Sequence, residues 1–312
     1  MIFNFLAVGQ NVAVLFILIG IGFLCGRTKF LSDSAVTGMT DVVLYIVTPC
    51  IMIQTFQREF DTALAGAFLQ ALLFATASLF AAWLLASLTL HDPELRRQSV
   101  YRFSVIFSNC GFMALPLENA LLGADGLFFG AAFLAIYNIG NWTLGLYMMS
   151  HNRKCLSLKR LITNPGIIGV AIGMLLFCTS TVLPDILSTP VDYLAALNTP
   201  IPMVIIGYHL SHAKLAAIFR DIRSWIAIVE RLVIVPLLGL GFGLAIGMDS
   251  SALTACMIAL CAPVAALCTM LSVSYGQDSE LSVSLVSMST LLSIATMPPI
   301  IVLTQTLTGL IS

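Results

Sequence analysis

An all-α integral membrane protein, with ten transmembrane helices in two inverted five-helix repeats, is the fold class this sequence predicts. Three observations predict it: a chain too poor in charge to face water, a one-sided distribution of basic residues, and two motifs recurring half a chain apart. Of the 312 residues 59% are hydrophobic and 9% charged, and the mean hydropathy is +1.01. A water-soluble domain carries about 25% charged residues. The stretches 1–26, 62–90, 126–152, 161–184, 250–277 and 281–312 contain no Asp, Glu, Lys or Arg. Each exceeds the ~20 apolar residues that cross a bilayer as a helix.

Apolar runs read against turn and charge breaks place spans at 5–26, 36–56, 62–90, 99–122, 127–150, 165–183, 190–211, 224–247, 251–274 and 281–309. The first is not expected to be a cleaved signal, because its first positive charge, Arg27, follows the apolar segment. Arg27 and Lys29 fall in the first loop, and Arg96, Arg97 and Arg102 around the third. Arg153, Lys154, Lys159 and Arg160 fall in the fifth, and Lys214, Arg220 and Arg223 in the seventh, so twelve of the 14 basic residues share one face. By the positive-inside rule the odd loops are cytoplasmic and both termini lie outside. The expected setting is the cell inner membrane, crossed many times.

The repeat sets the domain expectation. DVVLYIVTP (residues 41–49) and DYLAALNTP (192–200) share D-x6-T-P, and Gly123-x-Asp125 matches Gly276-x-Asp278 at nearly the same offset. This pairs residues 1–155, helices 1–5, with 156–312, helices 6–10. Five spans is an odd number, so the halves enter the membrane from opposite sides, as in many secondary transporters. Helix 4 then corresponds to helix 9. SNCGFMALP interrupts the first near its midpoint, Phe112, and ALCAPVAALC the second at Pro263. A lone proline is a kink. Two interruptions at one depth in matching helices point to broken, crossing helices and to a binding site.

A helix broken at mid-membrane exposes N–H and C=O groups that hydrocarbon cannot satisfy. Its N–H end carries about half a positive charge, so two such ends favour an anion, a carboxylate above all. Asn109 can donate to that anion or bond a neighbouring helix. Asn138 and Asn141, three apart, share a helix face and serve either the site or helix–helix adhesion. Glu118 reads as a proton carrier or gate, or as a side chain reaching the outer interface. Arg231 reads as an attractor of anions from the cytoplasm, or as a side chain reaching towards that surface. Asp41 and Asp192 are expected at helix starts, and His209 as a packing histidine. The eight cysteines include no CxxC pair or zinc spacing and read as packing residues. No metal, organic cofactor or nucleic-acid partner is expected, no nucleotide-binding loop is present, and no constellation of an intramembrane enzyme occurs.

Taken together, SNCGFMALPLENALLGADG, YNIGNWTLG (137–145), NPGIIGVAIG (164–173), TPIPMVIIGYHL (199–210), YGQDSELSVSLVSMSTLLSI and MPP (297–299) resemble the auxin efflux carrier family, which includes bacterial permeases for dicarboxylates. The resemblance implies a scaffold of helices 1, 2, 6 and 7 that often dimerises, and a moving transport domain of helices 3–5 and 8–10. It places anion binding at Asn109, Gly111 and Pro116, beside Phe112, and at Pro263. Many relatives carry Asn where this chain has Leu267, and the nearest hydroxyl downstream is Thr269. The function expected is a secondary transporter moving a small organic anion by alternating access, with coupling to H+ or Na+ open. The alternatives are an ion-coupled symporter of another small solute, and a passive channel or sensor.

Overall fold

Hydrocarbon offers no partner to a backbone N–H or C=O, and a helix is the element that satisfies both within one segment. Every regular element among the described residues is a helix. The computed structural model describes residues 2–152, 163–212 and 221–309, with the backbone alone for 2–9, 11 and 12. Arg153, Lys154, Cys155, Lys159, Arg160, Lys214 and Arg220 lie outside the described residues.

The helices are α1 (Ile2–Arg27), α2 (Asp33–Thr55), α3 (Thr62–Thr89), α4 (Leu95–Ile106), α5 (Cys110–Ser150) and α6 (Pro165–Cys178). After them come α7 (Asp185–Ala196), α8 (Pro200–Ser211), α9 (Ile222–Ala245), α10 (Ser250–Cys261), α11 (Leu267–Ser274) and α12 (Ser279–Leu307). Among the described residues, α2, α3, α5, α9 and α12 are long and apolar enough to cross a membrane. α5 turns sharply at Gly123, whose φ of 62° and ψ of −140° divide it into two arms. Gly276, its counterpart in the G-x-D motif, also takes a positive φ, 64°. Glycine alone enters that region without a steric penalty.

Local chemistry explains half of the helix starts and several irregularities. Ser32, Asp61, Asn164, Asp221, Asp249 and Asp278 each accept a hydrogen bond from a first-turn N–H. The helix-start expectation for Asp41 and Asp192 is corrected: α2 begins eight residues before Asp41, and Asp192 lies inside α7, accepting from Gln54 at 2.7 Å. Widened π turns at Val43–Val47, Cys110–Ala114 and Glu230–Ile234 are each followed by a proline, at Pro49, Pro116 and Pro236. A proline ring collides with the carbonyl four residues back, and a wider turn moves that carbonyl aside.

α10 stands at the centre, with residues 252–261 buried on every side against α3, α5, α9 and α12. Elsewhere small residues allow close crossings. α1 packs on α8 through Gly22 and Gly207, and α6 packs on α2 through Gly169 and Gly173.

At one end of the bundle Asp221 ties α4 to α9. Its carboxylate accepts from Arg97 at 2.9 Å, from Ser224 at 3.0 Å and from the Tyr101 hydroxyl. Arg223, in the first turn of α9, pairs with Asp92 at 3.1 Å. Burial pushes the Asp221 carboxyl upward, but the Tyr101, Ser224 and Arg223 N–H bonds, with the Arg97 charge, hold it below its ordinary value. A depressed carboxyl contributes stability above its unfolded-state pKa and loses it as pH falls through the folded-state value. An Asp221→Asn variant is therefore expected to melt lower than wild type at neutral pH. Its loss of stability on acidification is expected to be shallower; parallel pH–Tm curves for the two proteins would contradict this.

Candidate functional site

The two interruptions meet. α4 stops at Ile106 and α10 at Cys261, and the residues that follow run extended past each other. The Asn109 N–H donates to the Pro263 carbonyl at 2.7 Å, and the Ala265 N–H to the Phe107 carbonyl at 3.0 Å, a short antiparallel bridge centred on Ser108 and Val264. The Val264 N–H finds Ser289 Oγ of α12 at 3.1 Å. Three of the backbone N–H groups at the breaks, those of Asn109, Val264 and Ala265, are thus taken up by the other break and by a neighbouring serine, as hydrocarbon requires.

The crossing has two unlike sides. On one, the carbonyl ends of α4 and α10 converge on Arg231, a fully buried residue of α9. Its Nη1 donates to Val105 O at 2.9 Å and Ile106 O at 3.3 Å, and its Nη2 donates to Leu260 O. The expectation that Arg231 reaches towards the cytoplasmic surface is corrected: its charge is drawn inward by two sets of helix C-terminal carbonyls.

On the other side, the N-terminal ends of α5 and α11 face a cavity of about 690 Å³ through Cys110, Gly111 and Leu267. Asn109 and Ser108 line it while only 5% and 2% exposed, and Asn109 Nδ2 and Ser108 Oγ have no hydrogen-bond partner among the described residues. Buried donors without partners are uncommon and ask for a ligand or ordered water. Phe112 and Thr269 join the lining, as do Asn138 and Asn141 from the second arm of α5. Asn141 is buried, with its Oδ1 unpartnered among the described residues.

Pro116 and Pro263 stand off the cavity. Pro263 contributes its carbonyl to the bridge, and Pro116 lies buried a turn into α5. Glu118 also lies off the cavity and is fully buried. The reading that it reaches the outer interface is corrected, because the turn at Gly123 folds the second arm of α5 over it. A Cβ on Gly130 would stand 1.7 Å from Glu118 Oε2.

Several lining groups escape sequence reasoning. Ser287 and Thr290 of α12, Thr48 of α2 and Asn164 at the start of α6 face the cavity, with Asp41 and His209 on its wall. The one available signal was the hydroxyl-rich run of α12, SVSLVSMST (282–290), unusual for a membrane span. A cluster of phenylalanines packs together away from the cavity. Phe56 packs on Phe68 and Phe128 with ring centroids 5.7 and 5.3 Å apart, and Phe128 packs on Phe177 at 5.1 Å. Over this cluster Arg58 lies 4.7 Å from the Phe128 ring and pairs with Asp125 at 2.8 Å.

Apolar helices of spanning length, packed around shorter helices that end where they cross beside a polar-lined cavity, define a multi-pass membrane transport protein. The model of the membrane transport protein family matches residues 7–158 and 154–301, and the chain belongs to that auxin efflux carrier family. A search of curated proteins gave no match.

Proposed function

We propose that the protein is a secondary transporter moving a small organic anion, a carboxylate, across the cell membrane by alternating access. The polarity of the crossing carries this reading. A helix end bears about half an elementary charge, positive at the N–H end and negative at the C=O end. The two negative ends fall to Arg231, so roughly one unit of each sign cancels there. The two positive ends remain, directed at the cavity beside the free donors of Asn109 and Ser108. Leu44, Leu134 and Ile205 supply apolar walls. A floor offering about one positive charge and aimed donors suits one carboxylate, held without a lysine or arginine among the described lining residues.

The fold that belongs to this reading has ten spans in inverted halves. α4 with the first arm of α5 forms span 4, α7 with α8 forms span 7, and α10 with α11 forms span 9. Two internal correspondences support it. Exchanging the halves turns Phe107 into Pro263 and Asn109 into Ala265, so the two crossing hydrogen bonds replace one another. The same exchange turns the α1–α8 crossing into the α6–α2 crossing. Spans 1, 2, 6 and 7 act as scaffold, and the rest carry the site. The cavity wall uses the ends of α2, α6, α8 and α11 that adjoin odd loops, while the phenylalanine cluster seals the even side. With odd loops in the cytoplasm, this conformer faces inward.

Uptake of labelled carboxylates into proteoliposomes tests the reading. Saturable uptake, accelerated by the same anion trapped inside, is expected of a carrier. Linear flux without counter-transport would indicate a channel, and no flux of any carboxylate would reject the anion.

A further inference from the structure

In transporters built on discontinuous helices, unwound carbonyls and half-helix C-terminal ends are the groups that hold a coupling Na+. Here three such carbonyls, of Val105, Ile106 and Leu260, converge from two helices on one point. A side chain occupies that point. We propose that Arg231 is a tethered stand-in for a coupling cation: its guanidinium fills a masked monovalent-cation site, so the crossing carries its own cation and binds substrate without sodium or potassium.

Charge and placement support this. Arg231 is fully buried, and its hydrogen-bond partners are backbone carbonyls rather than a carboxylate. A buried charge needs compensation, and two helix ends of about half a negative charge each supply roughly one unit. That is the balance a single monovalent cation would strike with the same carbonyls. The side chain arrives there because the π turn Glu230–Ile234, opened ahead of Pro236, sets its direction on α9. The buried Tyr137 hydroxyl adjoins the guanidinium from α5. Arg231 is thus a positioning residue. It neutralises the carbonyl side of the crossing and leaves the amide side free to act on the anion.

Removing the side chain should reopen the cation site. Purified Arg231→Ala is melted in choline chloride and then in sodium, potassium or methylguanidinium chloride at matched ionic strength. The variant's Tm is expected to climb with the concentration of at least one of these cations, by mass action on the folded form. Wild type is expected to show no such response. A second readout rests on the proposed anion site: wild-type carboxylate binding is expected to agree within about twofold between sodium and choline. Arg231→Ala is expected to bind about tenfold or more weakly in choline and to recover with the added cation, whereas Arg231→Lys stays cation-independent.

A folded Arg231→Ala that is blind to every cation would overturn the proposal, and so would sodium-dependent binding by wild type. If Arg231→Ala does not fold in any salt, wild type decides: indifference to sodium upholds the proposal and dependence ends it. If wild type binds no carboxylate at all, the anion reading fails, while the melting experiment still decides the cation site.

Discussion

A Gly207→Val variant is expected to yield little or no folded protein. α8 crosses α1 so closely that a Cβ on Gly207 would lie 2.0 Å from Ile19 O, 2.7 Å from Phe23 N and 2.9 Å from Gly22 Cα. The crossing is tight in both directions, because a Cβ on Gly22 would lie 2.2 Å from Val204 O. Every one of these atoms is backbone, so no rotamer change can relieve the clash. The helices must move apart, and the packing that holds them in a bilayer, where there is no hydrophobic drive between helices, goes with the contact. Overpacking in a well-filled core typically costs about 1–3 kcal/mol, and a backbone-on-backbone collision lies at the upper end or beyond. Gly66→Ala in α3 is the control. Nothing stands within 4 Å of its Cβ position, and alanine in a helix interior is expected to help by about 0.5–1 kcal/mol. Size-exclusion profiles and Tm in detergent measure both. A Gly207→Val protein that is monodisperse and melts with wild type would show that α1 and α8 do not cross there.

The second large effect is expected at Asn109, and it falls on transport rather than on folding. The backbone of Asn109 holds the crossing through its bond to Pro263 O, whereas its side-chain Nδ2 has no partner among the described residues and lines the cavity. Asn109→Ala therefore leaves the bridge intact and removes one donor from the proposed anion site. A hydrogen bond to a charged partner is worth about 1.5–3 kcal/mol, which corresponds to roughly tenfold to hundredfold weaker binding. Tm without substrate should stay near that of wild type, and the thermal shift produced by substrate should shrink. Asn109→Asp is expected to go further, since it sets a carboxylate against the carried one. Wild-type uptake by Asn109→Ala at substrate concentrations well below saturation would remove Asn109 from the site.

The opposite behaviour of these two residues marks where sequence reasoning succeeds in this chain and where it stops. Uncharged runs disclose membrane spans because hydrocarbon forces each backbone group to be satisfied locally, so a stretch such as 62–90 is recognisable without reference to the rest of the chain. The interruptions at SNCGFMALP and at Pro263 are legible for the same reason: a break in that setting needs a repair, and its depth can be counted along the helix. The direction of a long side chain is not legible in this way. Arg231 could end at the cytoplasmic surface or at the crossing, and the carbonyls that decide it, of Val105 and Ile106, stand about 125 residues away in the chain. Asp41 reads as a helix start because it opens a repeated motif, yet an earlier cap at Ser32 moves the start and turns Asp41 to the cavity wall.

Sequence alone determined that the chain is a helical membrane protein, where its helices break, and that Asn109, Gly111 and Phe112 stand at the first break. These follow from the solvent and from covalent geometry, which act on neighbours in the chain. Only the tertiary structure decided that the two breaks bond each other, that Arg231 caps their carbonyl ends, that Glu118 is enclosed beneath Gly130, and that α12 contributes Ser287 and Thr290 to the cavity. Those outcomes depend on which helix faces come together. That choice is made by small residues and crossing angles far apart in the chain, and no local pattern records it.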